Sequence, residues 1–329
     1  MDDQVIDREF ANSVREGLGN TPRRLSSRYF YDAQGDRLFQ QIMASPEYYP
    51  TNCEREILAE QGREIGKVIM EGGPFELVEL GAGDGSKMCH LIDALYELDA
   101  EFTFKPLDIS ANVLDLLEAR LRPGRPWLDM APIAGNYMDW LAQPRRSGVR
   151  RVFAFMGSNL GNFDPHAARG FLRDIRRSMA KGDFLLIGLD LKKDPAVIRA
   201  AYDDAGGITA RFNLNLLDRI NRELGGDFDV GGFTHKPNYD PDTGLASSWL
   251  RSDRDQRVTI EALGESFDFT EGELIHMEIS QKYDDALIEG LARDTGFAVA
   301  ADFRDRRGWF TDQLWRPVPE DTAADAGDR

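Results

Sequence analysis

Cysteine and histidine are both scarce in this chain. Its 329 residues include two cysteines, Cys53 and Cys89, and four histidines that form no ligand-spaced pair. Two thiols are too few for a disulfide framework or a thiolate zinc site. No Ser-His-Asp or Cys-His set can be argued for either. The sequence therefore predicts a protein without a metal site, in which the two cysteines are packing thiols.

Basic charge and long apolar runs are also lacking. The chain has 40 Lys and Arg residues against 57 Asp and Glu residues, a formal charge of −17. Such a chain has no electrostatic footprint for nucleic acid phosphates or anionic membrane surfaces. Its longest apolar runs, such as 184–189, are far shorter than the ~20 residues that span a bilayer. Since the first ten residues also lack the features of a signal peptide, we expect a cytoplasmic protein with a small-molecule partner and no obligate protein partner.

What the chain does have is an alternation of short apolar runs with amphipathic segments. The runs predict strands over 75–80, 102–109, 130–136, 151–156 and 183–191. The amphipathic segments predict helices over 86–98, over 112–121 and from Pro165 to about Met179, the last with Asp164 as its N-cap. Strands that alternate with helices are typical of a parallel, doubly wound sheet.

The end of the chain departs from this alternation. A helix is predicted over 284–295, and strands over 297–303 and 308–315 are joined by a short connection into an antiparallel hairpin. A parallel α/β sheet that ends in such a hairpin is the plan of class I, Rossmann-like, S-adenosylmethionine-dependent methyltransferases. We therefore predict that fold by analogy.

Residues 192–282 do not fit the alternation either. They begin with two predicted helices and continue through the turn-rich segment 238–244 into strand-like segments. Because they lie between the fifth strand and the last helix, we predict an inserted α+β substrate-binding lobe, which residues 1–55 join. The methyltransferase domain would then comprise 56–191 and 283–316, and residues 317–329 would form a disordered tail.

A glycine-rich segment, V-E-L-G-A-G-D-G, follows the first predicted strand. Its glycines, among them Gly81 and Gly83, let the backbone turn tightly and approach a ligand closely. A dinucleotide fingerprint would have glycine or alanine three positions beyond Gly83, where this chain has Ser86. The pattern favours S-adenosylmethionine, which has no pyrophosphate, although an ordinary glycine-rich turn also fits it.

Three more candidate residues follow neighbouring strands. Asp108 ends the second strand, where a carboxylate can accept hydrogen bonds from both hydroxyls of a ribose. Asp108 or Ser110 could equally cap the next helix. After the third strand, Asn136 could pair with the edge of an adenine and Tyr137 could pack on its face, although neither residue type requires a ligand there.

The fourth predicted strand leads into the segment F-M-G-S-N-L-G-N-F. This is the carboxyl edge of the sheet, where the ligands of such folds bind. Asn159 and Asn162 supply amides that can hold a carboxylate or position an amine. Glycine and asparagine also close loops in left-handed conformations, so both interpretations remain open.

Seven segments occur in order along the chain. They are R-Y-F-Y-D (28–32), S-P-E-Y-Y-P-T (45–51), E-L-G-A-G-D-G (79–85), G-S-N-L-G-N (157–162), D-P-A-V-I-R-A-A-Y-D-D-A (194–205), N-R-E-L-G (221–225) and E-I-S-Q-K-Y (278–283). Together they resemble the histidine Nα-methyltransferase family of the ergothioneine pathway, which forms hercynine by trimethylating histidine. The resemblance covers essentially residues 15–316.

The resemblance implies a role for each matching residue. Two residues would bind the α-carboxylate of the substrate: Asn162 and Tyr202. Two would bind the imidazole nitrogens: Glu278 and Ser280, which share one face of a strand. Two would be catalytic and line the pocket near the amine: Tyr31 and Tyr48. The contacts to S-adenosylmethionine would come from Gly81, Lys87, Asp108, Asn136 and Tyr137, with Gly83 in the same loop.

Some positions depart from the family pattern, and others allow a structural role. The chain has Asn136 where the family often has aspartate, and Tyr137 where phenylalanine is usual. Near residue 248 it has the small polar pair Ser247 and Ser248 in place of a larger apolar side chain, which would alter the imidazole slot. Four of the implied ligands could instead be packing or surface residues: Tyr48, Tyr202, Glu278 and Ser280.

The function that these observations predict is Nα-methylation of a free amino acid with S-adenosylmethionine as the methyl donor. L-Histidine, trimethylated to hercynine, is the leading substrate. An enzyme of the same fold for another amino acid or small amine remains an alternative, as does a non-catalytic S-adenosylmethionine-binding sensor.

Overall fold

The computed structural model describes residues 7–83, 85–145 and 148–319. Its helices are α1 (Arg8–Gly19), α2 (Ala33–Ala44), α3 (Pro50–Met70), α4 (Met88–Glu97), α5 (Ala111–Leu121), α6 (Tyr137–Leu141), α7 (Pro165–Ser178), α8 (Pro195–Tyr202), α9 (Ile208–Leu224) and α10 (Asp285–Asp294). Its strands are β1 (Arg23–Arg24), β2 (Phe75–Leu80), β3 (Phe102–Asp108), β4 (Ile133–Ala134), β5 (Arg150–Phe155), β6 (Phe184–Asp190), β7 (Phe233–Asp240), β8 (Leu245–Ser252), β9 (Gln256–Ile260), β10 (Glu265–Phe269), β11 (Leu274–Gln281), β12 (Phe297–Arg304) and β13 (Phe310–Pro317).

The described chain forms two compact units. One, here called the seven-stranded unit, comprises Pro50–Lys192 and the chain from Gln281 onward. The other, here called the four-stranded unit, comprises the chain up to Tyr49 together with Lys193–Ser280. Each unit has its own sheet and its own buried apolar cluster.

The seven-stranded unit contains the predicted methyltransferase sheet. Its strand order is β12-β13-β6-β5-β2-β3-β4, with β2 to β6 parallel and β13 antiparallel to both β6 and β12. Every residue of β2 is buried, as expected for a parallel strand covered on both faces. The side chain of Asp164 accepts hydrogen bonds from the first turn of α7, as its N-cap role predicts. The predicted α/β class and the terminal hairpin are confirmed.

The third predicted strand is much shorter than expected. A strand was predicted over 130–136, but β4 contains only Ile133–Ala134. Met130 makes a separate bridge to Phe104, and Pro132 lies between the two pieces. Because proline has no backbone N–H to donate, it interrupts the ladder at this edge of the sheet.

The four-stranded unit has the strand order β1-β11-β8-β7, with a separate hairpin of β9 and β10. Strand β7 covers Phe233–Asp240, although the sequence indicated mainly a turn from residue 238 onward. Pro237 lies within β7, which is tolerated because β7 is an edge strand. Helix α9 packs into the same core and ends at Gly225, whose φ of 63° is typical of a glycine after a helix.

The unit boundaries differ by a few residues from the predicted domain limits. Residues 1–55 were assigned to the lobe, but α3 begins at Pro50 and lies in the seven-stranded unit. The chain crosses again at Lys192 and at Ser280, close to the expected positions. The predicted tail begins inside β13, which extends to Pro317, and residues 320–329 of that tail lie outside the described residues.

Candidate functional site

The glycine-rich loop after β2 presents its backbone on the surface. Gly81 and Gly83 have φ angles of 76° and 53°, which side-chain-bearing residues rarely adopt. Both glycines are exposed, and apart from its chain neighbours no atom of the described residues would lie within 4 Å of a Cβ added to either. The open space therefore fits the close approach of a ligand to this backbone, as the cofactor prediction requires.

Asp108 lies at the end of β3, directly across from this loop. One carboxylate oxygen accepts a hydrogen bond from the Gly83 backbone at 3.4 Å, and the other accepts one from Ser110 at 3.0 Å. The N-cap of α5 is Ser110, whose hydroxyl accepts from Val113 at 3.3 Å. Ser110, and not Asp108, is therefore the residue that caps α5. Asp108 instead connects the glycine-rich loop with the start of α5 at the edge of the sheet.

Asn136 and Tyr137 have structural roles that the sequence only partly indicated. Asn136 is the N-cap of α6, and its side-chain oxygen accepts a hydrogen bond from Met138 at 2.8 Å. The half-buried ring of Tyr137 packs against Phe171 and Phe155, with centroids 5.5 and 6.2 Å away, and burial raises the pKa of its hydroxyl. Their predicted contacts with adenine stay predictions.

The loop after β5 is shaped by Gly157 and Ser158. These two residues adopt the left-handed conformation, with φ angles of 77° and 56°, whereas Asn159 and Asn162 belong to a short 3-10 helix. Ser158 is held there because its hydroxyl accepts a hydrogen bond from the Asp190 backbone at 3.0 Å. Asparagine is therefore not needed to close this loop, and the side chain of Asn162 is exposed at its end.

Lys87 has a partner that the sequence did not indicate. Its ammonium group forms an ion pair with Glu54 of α3, while 23% of its side chain remains exposed. Burial alone would lower the pKa of Lys87, but the carboxylates around it, chiefly Glu54, outweigh burial and raise it. A signal for Glu54 was present, since it lies one helical turn before the buried Ile57 and Leu58 and is thus a carboxylate on an apolar helix face.

In the four-stranded unit, Glu278 and Ser280 lie on one face of β11, as their spacing predicts. Glu278 is half-buried and Ser280 is buried. Ser248 of β8, which is fully buried, donates a hydrogen bond to Glu278 at 3.2 Å. The small residue at position 248 thus contacts the carboxylate that the resemblance assigns to the imidazole.

Four aromatic residues of this unit, here called the aromatic cluster, bring the two predicted catalytic tyrosines together: Tyr31, Phe39, Tyr48 and Phe212. Ring centroids of neighbouring members are 5.5–6.4 Å apart. Tyr31 is the most accessible, with 49% of its surface exposed. Desolvation of its hydroxyl, followed by the charges of Glu278 and Asp36, raises the pKa of Tyr31, so its hydroxyl stays protonated at neutral pH.

Tyr202 ends α8 and is half-buried against a small apolar cluster of Ile198, Tyr239 and Ala246. This contact agrees with the packing role considered for it, and its predicted contact with a substrate carboxylate stays a prediction. Among the described residues, no helix is long and apolar enough to cross a membrane. Within the same residues, no group of three or more His, Cys, Asp and Glu side chains is placed to hold a metal ion.

Comparison with known proteins adds to this geometry. The family model described as "Histidine-specific methyltransferase, SAM-dependent" matches residues 10–317. A histidine N-alpha-methyltransferase from Mycobacterium tuberculosis is 38% identical over 91% of this chain and 90% of its own length. The enzyme of the same name from Mycolicibacterium smegmatis is 38% identical over 82% of this chain and 83% of its own length.

A more distant relative has a different substrate in its name. An L-tryptophan methyltransferase from Psilocybe serbica is 24% identical over 91% of this chain and 90% of its own length. The match of the family model to nearly the whole chain, together with the two relatives at 38% identity, shows the family directly. This chain belongs to the family of histidine-specific, S-adenosylmethionine-dependent methyltransferases.

Proposed function

We propose that this enzyme methylates the α-amine of free L-histidine three times to form hercynine. The observation that carries the proposal is the half-buried carboxylate of Glu278, which lies on one strand face with Ser280 and next to Ser248. A neutral imidazole has one N–H donor and one nitrogen acceptor. Glu278 would accept the hydrogen bond from the first, and the hydroxyl of Ser280 would donate to the second.

The seven-stranded unit would hold the methyl donor. S-Adenosylmethionine supplies an activated methyl group on a sulfonium centre. Gly81 and Gly83 would let its amino-acid portion approach the backbone, since no side chain fills the space above them. The carboxylate of Asp108 would accept hydrogen bonds from the ribose hydroxyls, and Asn136 and Tyr137 would contact the adenine.

Catalysis would depend mainly on positioning. Holding two reacting groups at near-attack distance can contribute about 7–11 kcal/mol, and displacement at a sulfonium methyl needs little acid–base assistance. Because the hydroxyl of Tyr31 stays protonated, we assign it to accepting a hydrogen bond from the amine and orienting the nitrogen lone pair, not to removing the proton as a phenolate. Tyr48 would line the same pocket.

The aromatic cluster suits the charge of the product. Each transfer leaves a cationic nitrogen and releases S-adenosylhomocysteine. The first two methylated products must each lose a proton to water before the next transfer, and the final trimethylammonium group has no N–H left for a hydrogen bond. Aromatic ring faces attract such cations. With half of its surface exposed, Tyr31 is the member of the cluster best placed to offer a face to the methylated amine.

A methyltransferase for another amino acid is the second candidate. It is favoured by the small side chain of Ser248 beside Glu278 and by the relative named for L-tryptophan. The sensor alternative is dropped, because the family is one of enzymes. The net charge of −17 supports the prediction that the enzyme binds neither nucleic acid nor an anionic membrane surface, whereas its cytoplasmic location and its lack of an obligate protein partner stay predictions.

The test is calorimetric titration of the purified protein with histidine, tryptophan and other amino acids in the presence of S-adenosylhomocysteine. Selective binding of histidine, followed by a mass increase of three methyl groups on turnover, is the expected result. Preferential binding of tryptophan would change the proposed substrate from histidine to tryptophan and leave the proposed methyl-transfer chemistry unchanged. Absence of binding by any free amino acid would contradict the proposal.

A further inference from the structure

Glu54 is a buried carboxylate in the middle of the seven-stranded unit. It lies in the second turn of α3, and 1% of its surface is exposed. Removing a carboxylate from water is costly unless it is paired and hydrogen-bonded. The groups around Glu54 therefore indicate what it is retained for.

Its two oxygens contact two separate loops at the carboxyl edge of the sheet. One accepts a hydrogen bond from the ammonium group of Lys87, the last residue before α4. The other accepts one from the backbone N–H of Gly157, in the loop after β5, at 2.6 Å. A single side chain thus holds both the end of the glycine-rich loop and the start of the loop that carries Asn162.

The strands beneath Glu54 leave room for this arrangement. Gly188 of β6 is paired in register with Asp312 of β13. A Cβ added at Gly188 would lie 2.3 Å from one oxygen of Glu54 and 3.1 Å from one oxygen of Asp312. Because 2.3 Å is too short for carbon and oxygen and 3.1 Å is tight, a larger residue at position 188 would displace the Glu54 carboxylate from this arrangement.

Asp312 is fully buried, and neither of its carboxyl oxygens has a hydrogen-bond partner among the described residues. Burial, followed by the charge of Glu54, raises the pKa of Asp312 well above its ordinary value, against the opposing effect of Lys87. Lys87 is the positive group of this cluster and is ion-paired with Glu54, and the charge of Glu79 also acts to raise the pKa of Lys87.

We propose that Glu54 is a positioning residue of the S-adenosylmethionine site, which acts by holding Lys87 and the Gly157 backbone in place. The inference rests on the proposed role of Lys87 as a cofactor contact. Stability alone accounts poorly for the arrangement, because well-packed apolar residues are often at least as stabilising as a buried ion pair. Fixing a long, flexible lysine in one orientation is what the pair adds.

The experiment is a double-mutant cycle on the affinity for S-adenosylhomocysteine, measured by calorimetry. Glu54→Gln and Lys87→Met should each weaken binding by about tenfold, which corresponds to the low end of the effect of losing a hydrogen bond to a charged group. The double variant should lose less affinity than the two single effects combined would give, because part of the effect of Glu54 acts through Lys87 and only the rest acts through the Gly157 backbone. Glu64→Gln, which makes the same change on an exposed surface of α3, is the matched control and should leave the affinity unchanged.

Two outcomes would overturn the proposal. One is an unchanged affinity in Glu54→Gln, and the other is full additivity in the double variant. Hydrogen–deuterium exchange at Gly157 gives a second readout, since its amide should exchange faster in Glu54→Gln than in Glu64→Gln. Equal exchange in the two variants would also count against the proposal.

If Glu54→Gln does not fold, Glu54→Asp retains the charge but withdraws the carboxylate by one carbon. It should lie between the wild type and Lys87→Met in affinity, and wild-type affinity would contradict a positioning role. Histidine binding to the unmodified protein is measured separately. Its absence would refute the proposed substrate while the affinities for S-adenosylhomocysteine still decide the role of Glu54.

Discussion

The two units of this enzyme present candidate ligand-binding groups of different kinds. In the seven-stranded unit the surface is largely backbone, formed by Gly81 and Gly83 and braced by the carboxylate of Asp108. In the four-stranded unit it consists of side chains, namely the aromatic cluster and the strand face that carries Glu278.

This difference suggests how the two ligands are distinguished. A backbone surface at the ends of parallel strands suits a cofactor that is always the same molecule, because the shape of that surface depends on the sheet and not on individual side chains. A side-chain surface on strands and helices can change residue by residue, which suits the part of the site that selects the substrate. The comparison therefore predicts that substitutions of Asp108 in one unit and of Glu278 in the other affect different ligands.

The largest effect is expected on the stability of the four-stranded unit, and not of the seven-stranded unit, at acidic pH. His235 of β7 is 8% exposed, and burial lowers its pKa to about 4, with Lys236 acting in the same direction and Asp203 and Asp204 opposing. His235 binds a proton more readily in the unfolded chain than in the folded one. The free energy of unfolding is therefore at its full value above pH ~6.5 and decreases as the pH falls towards 4, by up to about 3 kcal/mol.

Hydrogen–deuterium exchange between pH 7 and pH 4.5, corrected for the intrinsic exchange rate, should show loss of protection in β7 and β8 before β2 and β5. His235→Phe keeps a ring in place and removes the titration, so its loss of protection should be smaller. The same pH dependence in that variant would exclude His235 as the cause.

Asp108→Ala should come next. It removes a carboxylate that accepts from two backbone groups and is proposed to hold the ribose. We expect S-adenosylhomocysteine to bind about 30-fold more weakly, a loss of about 2 kcal/mol. Asp115→Ala, an exposed substitution on α5, is the control for the loss of charge. A similar loss in the control would show that net charge, rather than Asp108, determines cofactor affinity.

Glu278→Ala should affect the other ligand. Loss of the carboxylate should weaken histidine binding about tenfold, or about 1.4 kcal/mol, and leave the affinity for S-adenosylhomocysteine unchanged. Glu271→Ala removes the same charge from the exposed turn before β11 and is the control, which should leave both affinities unchanged. Comparable losses of affinity for both ligands in Glu278→Ala would contradict the assignment of Glu278 to the substrate.

The smallest effect is expected from Ser248→Ala, which removes the hydrogen bond donated to Glu278 at 3.2 Å. We expect KM for histidine to rise about threefold, with kcat nearly unchanged, because a single neutral donor to a partly exposed carboxylate contributes about 0.5–1 kcal/mol. Steady-state kinetics with histidine and with tryptophan would check this. A larger change in kcat than in KM would place Ser248 closer to the chemistry than proposed.

The regular elements of the seven-stranded unit were predictable because their apolar periodicity is strong. Strand β2 and helix α7 lie within a residue of their predicted limits. The edge strands β4 and β7 were less predictable, since few neighbours bury an edge strand and the pattern of these two is mixed, although the edge strand β12 lies within a residue of its predicted limits. Asp108 could be proposed from its place at a strand end, whereas Glu278 and Tyr31 could be proposed only through the resemblance.

The sequence by itself determined the order of strands and helices, the glycine-rich turn and the family, because each depends on residues close together in the chain or on motifs in order. The tertiary structure alone decided which charges meet. Glu54 and Lys87 are 33 positions apart, and the fully buried pair of Asp190 and Lys282 joins segments that are farther apart still. No local pattern specifies such partners, because a buried charge is satisfied by whichever group the packing of distant elements places beside it.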